Sequence, residues 1–174
     1  MDGCSLRSCI VGDEHALALV GQATFLETFA GILDGADILA HCHTQHTATV
    51  YAAWLRERAG WLWLAETTAG FAPIGYLGLG AAELPVPDAR ETDIELKRIY
   101  VLKRFQGTGV GDALMDRALA TARDFGKTRL LLGVYARNER AIAFYKRHGF
   151  QPVASRRFAV GRNTYEDTVF ALPL

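Results

Sequence analysis

The chain has 174 residues, with 19 basic and 19 acidic side chains, half of its residues apolar and 22% charged. That composition is too apolar for a disordered chain and long enough for one domain with a real core. A net charge of zero argues against nucleic acid as a partner, and no apolar run approaches the length of a membrane span. The charge is unevenly spread. Residues 1–87 carry three basic against nine acidic side chains, and residues 88–174 carry sixteen against ten. A basic half suits an anionic ligand and an acidic half a cationic one, although solvated faces of no function give the same numbers. Cys4, Cys9 and Cys42 lack CxxC or metal-ligand spacing, so neither a disulfide framework nor a metal site is expected. The opening MDGCSLRSC has no basic region followed by an apolar core. No signal peptide is expected, and a reduced cytoplasm is the default location.

In chain order, a short strand is expected near Leu6–Val11, followed by a helix that begins at Gly12-Asp13-Glu14. Its apolar residues Ala16, Leu19, Val20, Ala23, Leu26 and Ala30 recur at three- and four-residue spacing. Phe25 and Phe29 sit four apart on it, as core rings or as the wall of a pocket. Asp34–Arg58 reads as two helices, or one broken near Gln45–Thr47. His41, Cys42, His43 and His46 fall inside it without zinc-finger spacing, and a surface or rim cluster is the simpler reading. Trp61–Glu66 and Pro73–Leu79 form an antiparallel hairpin about a turn-rich segment. Two prolines make Leu84–Thr92 a loop.

The stretch Glu95–Gly111, ELKRIYVLKRFQGTGVG, carries the strongest signal. The strand Ile94–Val101 runs into Gln106-Gly107-Thr108-Gly109-Val110-Gly111, where three alternate glycines precede the helix Gly109–Phe125. Glycines let backbone approach a ligand, and the first N–H groups of a helix have no internal partner. With the positive end of the helix dipole they make an anion site suited to a diphosphate. Arg129–Tyr135 is a near-continuous apolar run, as for a strand buried on both faces, so Ile94–Tyr135 is a parallel βαβ unit. Asn138–Arg147 is a short helix capped by Asn138 and stopped at Gly149. Phe150–Val160 and Tyr165–Leu172 are strands about the turn Gly161-Arg162-Asn163. No repeat or linker appears, which leaves one mixed α/β domain over residues 1–174.

Three ordered pieces within Glu95–Phe150, namely IELKRIYV, the loop Gln106-x-x-Gly109-x-Gly111, and NERAIAFYKRHGF from Asn138, resemble the GNAT superfamily of N-acetyltransferases. ATFLETF at residues 23–29 and the closing SRRFAVGRNTYEDTVFALPL are similar to its bacterial spermidine/spermine branch. The resemblance implies a mostly antiparallel sheet of six to seven strands, with a parallel pair splayed at the coenzyme A site and helices on both faces. It also implies acetyl transfer from acetyl-CoA to a primary amine of a small, polyamine-like cation, without a metal. An N-terminal protein or peptide acetyltransferase and a CoA-binding regulatory module without turnover are the alternatives. The partner expected is a small amine rather than a membrane or nucleic acid, with the protein a monomer or homodimer.

The same resemblance assigns roles position by position. Gln106, Gly107, Thr108, Gly109, Val110 and Gly111 would hold the CoA diphosphate through backbone N–H groups. The edge of Ile99, Tyr100 and Val101 would pair with the pantetheine amides. Asn138 would touch the pantetheine arm, and Lys146 would approach the 3′-phosphate, with Arg147 a surface charge. Tyr145 would be the general acid for the leaving thiolate, an ordinary phenol with a pKa near ~10. Glu95 would be the base, acting through water, unless it is a surface carboxylate paired with Lys97 or Arg98. Glu27, Phe29 and Tyr76 are the candidates for the acceptor pocket, with Glu83 beside them.

Overall fold

The structure is a computed structural model that describes residues 3–57 and 60–174. Seven strands form one sheet: β1 (Cys4–Ser8), β2 (Gly60–Thr67), β3 (Pro73–Ala81), β4 (Asp93–Val101), β5 (Arg129–Tyr135), β6 (Gln151–Val160) and β7 (Asn163–Pro173). Their order is β1-β2-β3-β4-β5-β7-β6, and only β4 and β5 run parallel. The helices are α1 (Glu14–Phe29), α2 (Gly35–Gln45), α3 (Ala48–Glu57), α4 (Val110–Asp124) and α5 (Glu139–Arg147). The expected mixed α/β fold is therefore observed, with seven strands, one parallel pair and flanking helices.

Alternation along the strands divides the interior between two faces. On one, Ile74, Leu77 and Leu79 of β3 meet Leu114, Met115 and Ala118 of α4. On the other, Leu62, Leu64 and Tyr76 meet Leu17 and Val20 of α1 and Tyr51 of α3. Each large aliphatic side chain buried this way contributes about 1.5–3 kcal/mol. Helix α4 ends where Phe125 and Gly126 leave the helical register, with Gly126 at φ +64°.

The interior face of α1 differs from the expected one. Val20 is buried as expected, but Leu19 and Leu26 are exposed, and Leu17, Gly21, Thr24 and Phe25 are buried with Val20. Both stripes have helical spacing, and packing against α3 decides between them. A Cβ on Gly21 would lie 2.6 Å from His46 Nδ1 and 2.7 Å from the Tyr51 hydroxyl, so only this face lets α3 close on α1. The first strand also stops earlier than Val11. The Asp13 carboxylate accepts from Ile10 N (2.8 Å) and grips Arg7, which turns residues 10–13 into the start of α1. The break between α2 and α3 falls at His46–Thr47, where the Gln22 side chain donates to the His46 carbonyl. The expected end of that helical stretch, Arg58, lies outside the described residues.

Two buried ties anchor what surrounds the parallel pair. Arg129 at the head of β5 bonds both carboxylate oxygens of Asp93 on β4 (2.8 and 2.7 Å), and also grips Asp88 in the loop of residues 82–92. Asp37 on α2 accepts from Arg162 N (2.9 Å) and Asn163 Nδ2 (2.6 Å), pinning the β6–β7 turn over α2.

Candidate active site

Strands β4 and β5 pair through only three residues each, Asp93–Glu95 against Arg129–Leu131. Beyond that point β5 stays with β7 and β4 stays with β3, and a cleft of about 1120 Å³ opens along the gap. A β-bulge accompanies the parting. Leu96 opposes Leu79 and Arg98 opposes Gly78, so Lys97 is an extra residue in β4. A bulge bends its strand and raises the local twist, which turns β4 away from a straight neighbour. The backbone groups of Leu96–Val101 on the gap side are left without strand partners, so an extended amide-bearing ligand can dock as an added strand. Ile99, Tyr100 and Val101 all line this edge. The signal was present in the sequence: the apolar residues Ile94, Leu96, Ile99 and Val101 step by two, three and two. Because of that phase break, Arg98 shares a face with Glu95 although three positions separate them.

The glycine loop closes one end of the cleft. A 3₁₀ turn over Lys103–Phe105 follows β4, and the Gln106 side chain donates to the Val101 carbonyl (2.8 Å). Gly107 and Gly109 hold φ of +82° and +89° in open space, so conformation rather than crowding requires glycine there. The first intrahelical bond of α4 runs from Ala113 N to the Gly109 carbonyl, which leaves the N–H groups of Val110, Gly111 and Asp112 without a helical acceptor. These free donors and the empty space around the glycines fit a phosphate. Gln106, Gly107, Gly109 and Gly111 line the cleft. Thr108 turns its hydroxyl back to the Phe105 carbonyl, and Val110 is buried in the core as the anchor of the helix.

Helix α5 supplies the opposite wall. Asn138 caps it, its Oδ1 accepting from Ala141 N (3.1 Å), and also lines the cleft. Arg140, Phe144 and Arg147, spaced as one helical face, line it as well. Lys146 is exposed and outside the lining, whereas Arg147 lines the cleft. Arg147 (3.0 Å) and His148 (2.9 Å) both hold Asp112, which keeps that carboxyl below its usual range and offsets a charge that would repel phosphate.

Tyr145 and Glu95 both reach the cleft. Tyr145 is buried against Phe144 and Phe150, and among the described residues nothing hydrogen-bonds its hydroxyl. Burial first, and then proximity to Tyr100, raises the phenol well above its ordinary value, so it differs from the unperturbed phenol expected. Glu95 is buried, unlike the surface carboxylate considered as its alternative, but the Lys97 pairing of that alternative is present. Its Oε2 accepts from Lys97 Nζ (2.9 Å) and from Glu83 N (2.9 Å), which leaves Oε1 free of those bonds.

Past β4 the cleft widens into an aromatic arm. Phe25 and Phe29 form part of its wall, and Phe25 stacks on His41 (4.1 Å between centroids). His46 is buried rather than at a rim, with Nδ1 2.9 Å from the Tyr51 hydroxyl, while His43 is exposed. Desolvation, aided by the charge of Arg98, lowers His41 to about 4 and His46 to about 3, so both rings are neutral at pH 7. Among the described residues no group of three or more His, Cys, Asp or Glu is placed to hold a metal. Glu27 lines the arm and accepts from Lys103 N. Tyr76 is fully buried beneath Tyr100 and does not line the cleft, because its position in β3 faces Tyr51. Trp54 and Arg156 line the arm without having been singled out in the sequence, and so does Arg98, which was named there only as a possible partner of Glu95.

Comparison with known proteins agrees with this geometry. The model of the acetyltransferase (GNAT) family matches residues 28–150. An uncharacterised N-acetyltransferase of Mycobacterium tuberculosis is 40% identical over 84 residues, 48% of this chain and 54% of that protein. N-acetyltransferase 8B of Rattus norvegicus is 28% identical over 152 residues, 86% of this chain and 66% of its own length. The chain thus spans about half the length of the mycobacterial relative. Among solved structures, the PaiA N-acetyltransferase of Thermoplasma acidophilum in complex with coenzyme A superposes with a TM-score of 0.77 at 17% identity, covering 98% of this chain and 99% of that one. The acetyltransferase YncA of Salmonella typhimurium with acetyl-CoA gives 0.74 at 20% identity, over 99% and 94%. At those identities the superpositions speak for the fold. The family model spans the parted strands, the glycine loop and α5 together, and the chain belongs to the GNAT acetyltransferase family.

Proposed function

We propose that this protein is an N-acetyltransferase that uses acetyl-CoA to acetylate the primary amine of a small molecule. The observation that carries this reading is the parting of β4 from β5, with a diphosphate-sized set of free N–H groups at one end and Tyr145 and Glu95 opening into the same cleft. The residues present fit the group. The loop Gln106–Gly111 would take the diphosphate, the free edge of Ile99–Val101 and Asn138 the pantetheine amides, and Arg147 the 3′-phosphate. Acetyl-CoA supplies a thioester, whose carbonyl a backbone N–H on β4 would polarise.

An ammonium cannot attack a thioester, so the acceptor must first lose a proton. Glu95 offers Oε1 for this directly or through water, with Lys97 bonded to its other oxygen. Tyr145 keeps its proton at any working pH, because burial disfavours the phenolate. It therefore donates a hydrogen bond to charge as it develops on sulfur and releases the proton only as that charge builds. The rest of the rate comes from holding amine and thioester in one gap. Every residue named lies on one chain, so the reading holds for a monomer or a homodimer.

A polyamine-like acceptor was expected from the acidic first half and the C-terminal resemblance. It would need free carboxylates, and the cleft offers few. Glu83 and Glu95 are bonded to Lys97, Asp112 to Arg147 and His148, Asp167 to Arg156, and Glu27 to Lys103 N. The test is release of free thiol from acetyl-CoA with polyamines, amino acids, aminoglycosides and peptides side by side. Tight CoA binding without turnover on any of them would overturn the enzymatic reading in favour of a binding module.

A further inference from the structure

Arg98 is the odd charge in the cleft. Each carboxylate lining the cleft already has a donor, yet among the described residues the buried Arg98 Nη1 has no hydrogen-bond partner. Its guanidinium lies over the rings of Tyr51 (5.0 Å) and Trp54 (5.6 Å). Trp54 Nε1 is a second buried donor without an acceptor among the described residues, and it too belongs to a residue lining the arm. Indole N–H and guanidinium are donors only, so no proton rearrangement inside the protein can satisfy them. The neighbouring imidazoles of His41 and His46 hold no charge at pH 7 and supply no anion. A guanidinium left this way is costly, and its planar fork matches a carboxylate in two-point contact. The bulge at Lys97 sets Arg98 on the face of β4 that also carries Glu95, so an anion held at Arg98 and an amine handled at Glu95 would belong to one small molecule. Around them the arm is aromatic: Phe25, Phe29, Trp54 and Phe158.

We infer that the acceptor is an amino acid with an apolar side chain, its carboxylate anchored by Arg98, its amine presented to Glu95 and its side chain among the aromatic rings. This inference rests on the acetyl-transfer reading above. In the step, the amine nitrogen bonds the thioester carbon and the carbon–sulfur bond breaks. The ammonium first gives one proton toward Glu95 and on to solvent. The second leaves the nitrogen as the amide forms and replaces the proton that Tyr145 gives to the departing sulfur, so the phenol is restored. The products are an N-acetylamino acid and coenzyme A.

The experiment compares L-leucine, L-methionine and L-phenylalanine with their decarboxylated amines and with spermidine, on the full chain and on Arg98→Gln. One arm reads thiol release from acetyl-CoA. The other reads binding of the same compounds to CoA-loaded protein by calorimetry, which needs no turnover. Wild type is expected to prefer each amino acid over its decarboxylated amine by about 10- to 100-fold in kcat/KM, the worth of a charged hydrogen-bonded contact. Arg98→Gln is expected to erase that preference while leaving the KM for acetyl-CoA and the circular dichroism spectrum unchanged. Equal or better use of the decarboxylated amines or spermidine by wild type would overturn the inference and leave acetyl transfer standing. So would a loss in Arg98→Gln that is the same for every acceptor. Amino acid binding that depends on Arg98 without thiol release from any compound would instead overturn acetyl transfer and retain the anchor. Failure of all three amino acids to bind or react would refute the anchor outright.

Discussion

Replacing Tyr145 with phenylalanine separates chemistry from binding and from folding. The variant removes one hydroxyl that no described group of the protein bonds, and the ring stays packed against Phe144 and Phe150 at centroid distances of 5.5 and 5.8 Å. No partner is left unsatisfied, so the stability change should stay within about 1 kcal/mol. In the proposed reaction the hydroxyl stabilises charge on the leaving sulfur. Losing a positioned proton donor costs about 10²- to 10⁴-fold in rate, or roughly 3–5 kcal/mol of transition-state stabilisation. Binding of CoA should be unaffected, since the loop and the β4 edge act through backbone. Because burial raises the phenol, wild-type kcat should show no alkaline loss from Tyr145 within the range where the fold survives. The assay is thiol release under saturating substrates from pH 6 to 10, with CoA affinity by calorimetry and a thermal melt. A Tyr145→Phe enzyme whose kcat stays within a few-fold of wild type across that range would refute the assignment.

Other perturbations test the scaffold. Gly109→Val forces a β-branched residue to φ +89°, a strain of about 1–2 kcal/mol or more, and should abolish CoA binding in calorimetry while the domain stays folded. Wild-type affinity in that variant would remove the loop from the site. Asp93→Asn leaves the buried Arg129 guanidinium half-paired and should cost about 3–5 kcal/mol, seen as a lowered melting temperature. A melt within 2 °C of wild type, against the roughly 2–4 °C per kcal/mol expected at this size, would show the tie to be idle. His46 is neutral in the folded state and depressed to about 3, whereas its unfolded form titrates near 6.5. The unfolded chain therefore binds the extra proton between those values. The contribution is full above pH 6.5 and falls by about 1.4 kcal/mol per pH unit on acidification. Melts at pH 7 and pH 5 should show a drop for wild type that shrinks in His46→Gln, and equal drops would contradict it.

Local rules in the chain determined much of this. The hairpin of β2 and β3, the crossover from β4 through α4 to β5, the Asn138 cap and the glycine turns follow from alternation, capping and positive φ, each set within a few residues. That the glycine loop and Tyr145 share one cleft was legible for the same reason, because a glycine loop before a helix and an ordered motif after it are short-range signals. Tertiary structure decided the rest. Which stripe of α1 is buried depends on Gly21 meeting α3, and Arg147 rather than Lys146 lines the cleft because α5 presents one face to the gap. Tyr76 is withdrawn from the cleft by Tyr51 and Tyr100. The parting of β4 from β5 arises from one extra residue at Lys97 whose effect appears only when β3 pairs with it. Above all, whether a charge is free or spent is a matter of distant partners. Glu95 meets Lys97 and Glu83, while Arg98 lies over the rings of Tyr51 and Trp54 with no carboxylate bonded to it among the described residues, and no count of acidic and basic residues along the chain can register that difference.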